Sequence, residues 1–495
     1  MIPHTSSRDP GKAPIATKRH TAASLRRRRT IRAASVVASL IAAACVRAPS
    51  AFANGRYPAS NALVFTPGDS ASILLRTTFG ILMSRDGGAT WDWLCEGALG
   101  VPSGSIEDPS IAATAGGALV AGTAEGLEVS ADRGCDWRAV GDPSAPPDVR
   151  DLTIRANAPH AVLALTSTVR PDAGVGGGAG YLTQVWESVD DGAHWAVDGA
   201  PIDPTAVPTS LEVAASDAQR IYVSAYRGDG PTRSASIFVS TDRGAHWTER
   251  PVPIDPSTEA AAFVGAVDPA DADRVYVRTQ GRSRLLVTGD AGRSYATALT
   301  LSGPMLGLAI APDGSKLYAG GPQDGLFVAD RGLAPAFVRT SDLPVQCLAA
   351  RGASDLWACA AQSAGFFAAR STDDGAHFEP VLLLDGVRAP IACAADATAS
   401  QCTGAAFGQL CDSLPGCGGE APADPPPIAP FDTGAYFPDA GAEPRELLNL
   451  PTWACGCTAA GGGGALGLFV AFVACVAAVA ACGRRMARAT RGDRH

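Results

Sequence analysis

The residue types best suited to chemistry recur together in this chain, in the pattern Ser-x-Asp-x-Gly-x-x-Trp. One copy runs from Ser84 to Trp91 and another from Ser240 to Trp247. Some copies also place a histidine just before the aromatic residue or a second aspartate after the first. Carboxylates and imidazoles in such a pattern could act as general acids and bases, or carboxylates could bind calcium.

The recurrence argues against both roles. Three repeats each contain one histidine before the aromatic residue: His194, His246 and His377. Histidines of different repeats would lie far apart around a rim. Asp190–Asp191 and Asp373–Asp374 suggest calcium, but the turn itself uses one aspartate of each pair and no EF-hand loop is present. A catalytic centre is needed once, whereas a turn is needed in every repeat. We expect no catalytic residue, no metal and no cofactor in the pattern.

Six copies of the pattern align in register, and a seventh copy retains Asp330 but lacks the aromatic residue. Their aspartates are 40 to 58 residues apart, which fits one four-stranded propeller blade per copy. The positions that we predict to be structural are Ser84, Asp86, Gly88, Trp91, Ser130, Asp132, Gly134, Trp137, Ser188, Asp190, Gly192, Trp195, Ser240, Asp242, Gly244, Trp247, Asp290, Gly292, Tyr295, Ser371, Asp373, Gly375 and Phe378.

Further apolar runs precede each copy, such as SILLRTTFG and LTIRA, and are typical of β-strands. No long helical period appears between residues 61 and 384. The sequence therefore predicts an all-β, seven-bladed propeller of four-stranded blades over residues 54–390. In each hairpin corner the aspartate would accept hydrogen bonds from N–H groups two or three residues on. The glycine would take a positive φ, and the aromatic ring would lie between blades.

These eight-residue repeats resemble the BNR or Asp-box repeats of sialidases, sortilin-like receptors and photosystem assembly factor propellers. The resemblance covers about residues 61–384. It implies a propeller in which Ser84, Asp86, Gly88 and Trp91 and their equivalents lie at the blade periphery, away from the axial site.

A sialidase-like exo-glycosidase is the alternative to a binding module. Such an enzyme needs three arginines for the substrate carboxylate, a Tyr–Glu nucleophile pair and an acidic proton donor. The segment Arg56-Tyr57-Pro58 approximates the Arg-Ile-Pro element of that family, and it can equally be the entry segment after signal cleavage. Arginines that could lie near the blade tops are Arg76, Arg155, Arg227, Arg278 and Arg339, and tyrosines inside apolar runs are Tyr222, Tyr276 and Tyr318.

We predict instead that the axial face and blade-top loops bind an unknown protein or glycan. The Gly-rich insert at residues 170–182, between two strands of the third blade, is a candidate rim loop or a tolerated insertion. Residues 54–482 carry 25 Lys and Arg against 47 Asp and Glu, so this acidic portion would repel nucleic acid.

Both ends of the chain predict export and anchoring. A basic run and an apolar segment within residues 1–53 are typical of a signal peptide cleaved after Ala53, and Cys45 weakly resembles a lipoprotein site. A Pro-rich stalk spans residues 418–452, and the uncharged residues 465–482 predict a transmembrane helix followed by arginines.

The residues Trp453-Ala-Cys455-Gly-Cys457, the glycine run, the apolar span and the arginine cluster resemble the MYXO-CTERM sorting tail of myxobacterial surface proteins. The resemblance implies that a sorting protease recognises residues 453–495 at Cys455 or Cys457 and that the chain reaches the cell surface. A plain single-span anchor is the alternative.

Cysteines of an exported chain indicate disulfides. We expect a blade-to-blade bridge between Cys95 and Cys135, and a bridge across one blade between Cys347 and Cys359. A Cys-rich closing segment at residues 391–417, a stapled cap or a short extension, carries Cys393, Cys402, Cys411 and Cys417 with open connectivity.

Overall fold

The computed structural model describes residues 58–418 apart from 103–104, 106–107, 142–147, 171–179, 384 and 415. Over these residues the chain forms seven antiparallel sheets of four sequential strands, which confirms the predicted seven-bladed propeller. Blades 1 to 4 contain β1 (Ser60–Phe65), β2 (Ile73–Thr77), β3 (Gly80–Ser84), β4 (Trp91–Leu94), β5 (Ser110–Ala113), β6 (Leu119–Thr123), β7 (Gly126–Ser130), β8 (Arg138–Val140), β9 (Val149–Ile154), β10 (Val162–Arg170), β11 (Gly180–Ser188), β12 (Ala196–Ile202), β13 (Val207–Val213), β14 (Ile221–Arg227), β15 (Ser234–Ser240) and β16 (Thr248–Val252). Blades 5 to 7 contain β17 (Glu259–Val267), β18 (Val275–Gly281), β19 (Arg284–Thr288), β20 (Ala296–Thr300), β21 (Gly307–Ile310), β22 (Lys316–Gly321), β23 (Gly325–Asp330), β24 (Val338–Ser341), β25 (Cys347–Ala350), β26 (Leu356–Cys359), β27 (Phe366–Ser371) and β28 (Glu379–Leu383).

The first strand of each blade lies at the axis. These innermost strands contact one another in a ring, from β1 through β5, β9, β13, β17, β21 and β25 back to β1. The ring closes directly, because the Ser60 N–H and hydroxyl both donate to the Ala360 carbonyl of blade 7. Side chains on both faces of each sheet pack against the neighbouring blades, and Trp91, Trp357 and Tyr222 are among the largest that are fully buried.

Antiparallel blades give the propeller two distinct ends, because successive connections alternate between them. At one end lie the hairpins between first and second strands and the corners between third and fourth strands, including Ser84–Trp91. We call this the turn end. At the other end, the loop end, lie the connections between second and third strands and those between blades. Each innermost strand therefore runs from the loop end to the turn end.

The chain closes on itself through a segment that follows the last blade, residues 385–418. This segment includes the predicted Cys-rich residues 391–417, and from here on we call all of residues 385–418 the closing segment. Its strand β29 (Val387–Pro390) adds parallel to β4 as a fifth strand of blade 1. A short 3-10 helix (Thr398–Cys402) and the helix α1 (Ala405–Ser413) follow. The ring of Phe407 in α1 lies 6.0 Å from the ring of Trp93 in β4. The closing segment thus covers the outer edge of blade 1.

All eight candidate cysteines form disulfides, and the predicted bridge between Cys95 and Cys135 is wrong. Cys95 bonds Cys402 and Cys135 bonds Cys393, so both blades are tied to the closing segment rather than to each other. The cause is the course of β29 along β4, which brings the closing segment against the rim of blades 1 and 2. The predicted Cys347–Cys359 bridge is confirmed and joins register partners of β25 and β26.

The remaining disulfide, Cys411–Cys417, lies within the closing segment.

Among the described residues no helix is long and apolar enough to cross a membrane. The predicted signal peptide, the stalk after Gly418, the transmembrane helix at 465–482 and the sorting residues Cys455 and Cys457 lie outside the described residues.

Candidate functional site

The serine and aspartate of the repeated pattern bond within their own hairpin corner at the turn end, as Ser240–Trp247 shows. The Ser240 hydroxyl donates to Asp242 Oδ1 over 2.8 Å and accepts the Gly244 N–H over 2.7 Å. Asp242 Oδ1 accepts the N–H of His246 over 2.9 Å, four residues on rather than the two or three expected. The indole N–H of Trp247 donates to the carbonyl of Ala200 in the neighbouring blade.

The backbone of the corner is left-handed at two successive residues, not only at the glycine. Gly244 has φ of 84°, and Arg243 before it has φ of 57°. The same conformation occurs at the residues Arg133, Asp191, Ala291 and Asp374. Non-glycine side chains rarely adopt it, so the bonds of the preceding serine and aspartate must hold the turn.

The incomplete seventh copy lacks this network. Val328 stands where the serine would be, and it lies within β23. Asp330 forms an ion pair with Lys316 over 2.9 Å, and its side chain is 85% exposed. This corner is therefore not built like the other six.

The histidines of the pattern do not converge on a common site. The Nδ1 atoms of His194, His246 and His377 each lie 2.6 Å from Oδ2 of the aspartate four residues earlier, on the exposed rim. The second aspartates also have partners: Asp191 contacts His160 Nδ1 at 3.0 Å, and Asp374 accepts the Tyr318 hydroxyl. Within the described ranges no group of three or more His, Cys, Asp or Glu side chains could hold a metal ion.

Charged side chains of a different kind meet around the axis. We call Arg76 of β2, Asp151 of β9, Glu212 of β13 and Arg278 of β18 the axial cluster, because they come from the two innermost strands of four blades. All four are partly exposed to solvent. None belongs to the repeated pattern.

Both guanidinium groups lie toward the loop end. Arg76 donates from Nε to Asn61 Oδ1 over 2.7 Å and from Nη1 to the carbonyl of Pro109, just before β5 begins. Arg278 donates from Nη1 over 3.0 Å to the carbonyl of Met305, just before β21 begins. Its guanidinium carbon lies 4.7 Å from the centre of the Phe263 ring.

Asp151 links two innermost strands. Its Oδ2 accepts the N–H of Leu211 in β13, and its Oδ1 accepts the N–H of Leu152, both over 2.9 Å. Burial raises the pKa of Asp151 to about 6, although these N–H groups and the charges of Arg76 and Arg278 act in the opposite direction. The carboxylate therefore still titrates close to neutral pH.

Glu212 lies further toward the turn end, as the sixth of the seven residues of β13. Burial, together with the negative charge of Asp151, raises the pKa of Glu212 to about 8, and a hydrogen bond from Thr153 offsets part of this. At neutral pH the Glu212 carboxyl is mostly protonated, whereas Asp151 is mostly ionised.

Two of the five arginines singled out from the sequence reach the axis, Arg76 and Arg278. The other three form ion pairs elsewhere: Arg155 with Glu187, Arg227 with Glu249 and Arg339 with Asp342. The tyrosines Tyr222, Tyr276 and Tyr318 are all fully buried in the blades. A Tyr–Glu nucleophile pair does not form from these three tyrosines.

Asp151 and Glu212 were not predicted from the sequence. Each interrupts an apolar run, in VRDLTI and SLEV, which is the signal that could have found them. The Gly-rich insert connects β10, which ends at Arg170, to β11, which begins at Gly180, and so it joins strands at the loop end. Residues 171–179 themselves lie outside the described residues.

No protein-family model matches the chain, and no curated protein matches it either. Similar solved structures include the GH74 enzyme of Niastella koreensis, at 13% identity over 65% of this chain and 71% of that chain, with a TM-score of 0.26. Hydrazine synthase of Kuenenia stuttgartiensis is 12% identical over 63% of this chain and 96% of that chain, with a TM-score of 0.45. The Cps50 (Swd1) β-propeller domain of Myceliophteria thermophila is 12% identical over 62% of this chain and 95% of that chain, with a TM-score of 0.40. At identities and TM-scores this low, no activity of these proteins is transferred to this chain.

Proposed function

We propose that the chain is an exported recognition module that binds a protein or glycan ligand at the loop end of its axis. The observation that carries the proposal is the placement of Arg76, Asp151 and Arg278 around the propeller axis, where both guanidinium charges act on the Asp151 carboxylate. Charged groups inside a fold are costly unless paired or functional, and perturbed titrating groups concentrate at functional sites.

The contrast between the two ends supports this placement. At the turn end the Ser240 and Asp242 side chains bond within their own corner, and five further corners repeat these bonds. At the loop end Arg278, which is partly exposed as a residue, uses one N–H on Met305, and its guanidinium has further donors on Nε and Nη2. Such donors suit the hydroxyl, carbonyl or carboxylate oxygens of a ligand.

Four disulfides indicate an oxidising, extracellular environment. We further propose delivery to the cell surface or outer membrane through the Pro-rich stalk and the C-terminal tail, with a transmembrane helix at 465–482 and a sorting protease acting at Cys455 or Cys457. Replacing both cysteines by alanine should leave the tail uncleaved and the protein in the inner membrane. Normal surface display of that variant would contradict the sorting proposal and favour a plain anchor.

A sialidase-like exo-glycosidase is the second candidate. One observation favours it: Asp151 and Glu212 are two neighbouring carboxyl groups with pKa values of about 6 and about 8. An acid and a base with separated pKa values are what glycoside hydrolysis requires. Only two of the three expected arginines reach the axis, which counts against a sialidase.

Ligand capture by the full chain tests the proposal. We expect Arg278→Ala to weaken capture from a glycan array or from surface proteins of neighbouring cells by tenfold or more. Arg339→Ala is the matched control, because Arg339 is paired on the outer strand β24. Equal capture by both variants would refute the loop-end site. Release of sugar from a fluorogenic sialoside, abolished by Asp151→Asn, would establish the glycosidase instead.

A further inference from the structure

A cleft lies at the seam between blade 7 and blade 1, where the ring of blades closes. Its volume is about 110 Å³, well above the ~10–15 Å³ that is needed to hold one water molecule. The corner of blade 1 contributes residues 89–91, β28 of blade 7 contributes residues 380–383, and the turn into β29 contributes Asp385, Gly386 and Arg388. The cleft is therefore formed by both blades, and its lining residues are not part of the loop-end site.

Arg388 carries an unused donor at this seam. Its Nη2 donates to Asp92 Oδ1 of β4 over 3.0 Å. Its Nε is buried and has no hydrogen-bond partner among the described residues. Because buried polar groups in folded proteins nearly always have a partner, this N–H indicates an acceptor that the described residues do not supply.

Most of the cleft wall is apolar. Pro380, Val381 and Leu383 of β28 are partly exposed there. Among the described lining residues, only Asp385 carries a second charge, so an acidic occupant must lie close to Arg388 to be attracted more than it is repelled. An occupant of this cleft should therefore combine short apolar side chains with one acceptor placed near Arg388.

The described part of the chain ends beside this cleft. The N–H of Gly418 donates to the carbonyl of Val387 over 2.9 Å. A Cβ atom added to Gly416 would lie 2.4 Å from Asp385 Cβ. One added to Gly418 would lie 3.9 Å from the carbonyl oxygen of Arg388. The chain therefore runs alongside the start of β29 in the same direction and leaves the described region next to Arg388.

The residues that follow have the composition that the cleft requires. Glu420 is the first charged residue after Gly418, and two extended residues span about 7 Å, so its carboxylate can reach Arg388. Ala421 and Pro422 are short and apolar, and a proline brings no N–H that would need a partner. Residues from 419 on lie outside the described residues.

We propose that residues 419–422, in the first part of the predicted Pro-rich stalk, bind in the cleft between blades 7 and 1, with the Glu420 carboxylate accepting the Nε N–H of Arg388. The planar guanidinium can serve Asp92 and Glu420 at once, because Nη2 and Nε are separate donors. The proposal goes beyond the loop-end site. The protein fills this cleft with its own chain, which fixes the point at which the stalk leaves the propeller and braces the seam between the two blades.

Cleavage of the full chain by a glutamate-specific protease tests the proposal. Glu446, further along the predicted stalk, is the internal reference, and synthetic peptides of both sequences give the intrinsic cleavage rates. Relative to these peptides, we expect cleavage after Glu420 to be at least tenfold slower than cleavage after Glu446. Arg388→Gln should remove most of this protection, because a neutral amide binds a carboxylate more weakly than a guanidinium does.

Two further variants separate this contact from its surroundings. Asp92→Asn is the matched control for Arg388→Gln, because it removes the same ion pair but leaves Nε able to bind Glu420, and it should keep the protection. Ala89→Trp should abolish the protection by filling the cleft. It should fold, because Ala89 is exposed and the large Arg293 stands at the corresponding position of the blade 5 corner.

Equal relative rates at Glu420 and Glu446 in the parent chain would overturn the proposal, as would an equal loss of protection in Asp92→Asn and Arg388→Gln. Full protection in Ala89→Trp would also overturn it, by placing the segment outside the cleft. Protection that weakens on dilution would assign the occupant to a second copy of the chain instead. Capture through Arg278 does not involve this seam, so the two proposals fail or stand separately.

Discussion

Cys95 and Cys402 are 307 residues apart in the sequence, yet their Cα atoms lie 5.3 Å apart across a disulfide. The bond joins the end of the first blade to the segment that follows the last one. Together with Cys135–Cys393 and the strand β29, it closes the propeller covalently at its rim. These disulfides tether blade 7 to blades 1 and 2 through the closing segment, and so they oppose opening of the ring between blades 7 and 1.

The two closing disulfides should be partly redundant. Each alone closes a loop of hundreds of residues, but once one is formed the other closes a loop of only about 50 residues. Replacing one pair by serines should therefore cost about 4 kcal/mol of unfolding free energy, the value expected for a loop of about 50 residues, and replacing both pairs should cost more than twice that. Denaturant unfolding of the two double mutants and the quadruple mutant measures this. Strict additivity would contradict it.

The hairpin corners should depend on the buried serine hydroxyl. Ser240 is 1% exposed and accepts the buried N–H of Gly244. Ser240→Ala leaves that N–H unpaired and should lower the unfolding free energy by about 1–3 kcal/mol. Ser257→Ala is the control, because Ser257 is exposed and bonds only within its own turn. If Ser240→Ala lowers the unfolding free energy no more than Ser257→Ala does, the left-handed backbone conformation of Gly244 alone holds the corner.

The corners should also make stability sensitive to acid. Hydrogen bonds from the side chain and N–H of His246, and from Ser240, lower the pKa of Asp242 from 3.8 to about 2. Asp190 and Asp373 are lowered to about 2 by bonds from their own histidines and serines. A depressed folded-state pKa contributes stability above pH 4, and this contribution is lost as the pH falls toward 2.

Replacing His194, His246 and His377 by alanine tests this directly. The triple variant should be less stable than the parent chain at pH 5, and the difference should become much smaller as the pH falls to 2. Urea midpoints followed by tryptophan fluorescence give the comparison. A difference that stays constant from pH 5 to pH 2 would show that the histidines act by packing rather than through the aspartates.

Much of the scaffold could be predicted because the side-chain hydrogen bonds of a hairpin corner join residues that are close in the sequence. The spacing of Asp86, Asp132 and their equivalents predicted the number of blades, since six of the seven corners carry their own bonds. The partner of Cys95 could not be predicted, because it depends on the path of the closing segment over blade 1. Nor could the axial cluster, since a charged residue such as Asp151 or Glu212 in a strand run does not show whether it faces solvent or the channel.

The buried Asp268 should be a main brace between blades 5 and 6. It is 0% exposed, and both of its oxygens accept hydrogen bonds from Arg331 of the next blade, at 2.6 and 2.7 Å. Burial raises the pKa of Asp268, but the bonds from Arg331 and the charge of Arg274 outweigh it and hold the pKa below its usual value. Asp268→Asn removes the charge that these two arginines require, so it should lower the unfolding free energy by about 3 kcal/mol.

The matched control is Asp229→Asn. Asp229 also pairs with an arginine, Arg233, but its side chain is 98% exposed, so solvent screens the pair and its loss should be close to zero. Urea unfolding of both variants at pH 7 separates the two cases. The same small loss in both would mean that packing of the apolar faces, rather than this ion pair, joins blades 5 and 6. A loss confined to Asp268→Asn would show that an arginine–aspartate pair stabilises this fold where the aspartate is buried and not where it is exposed.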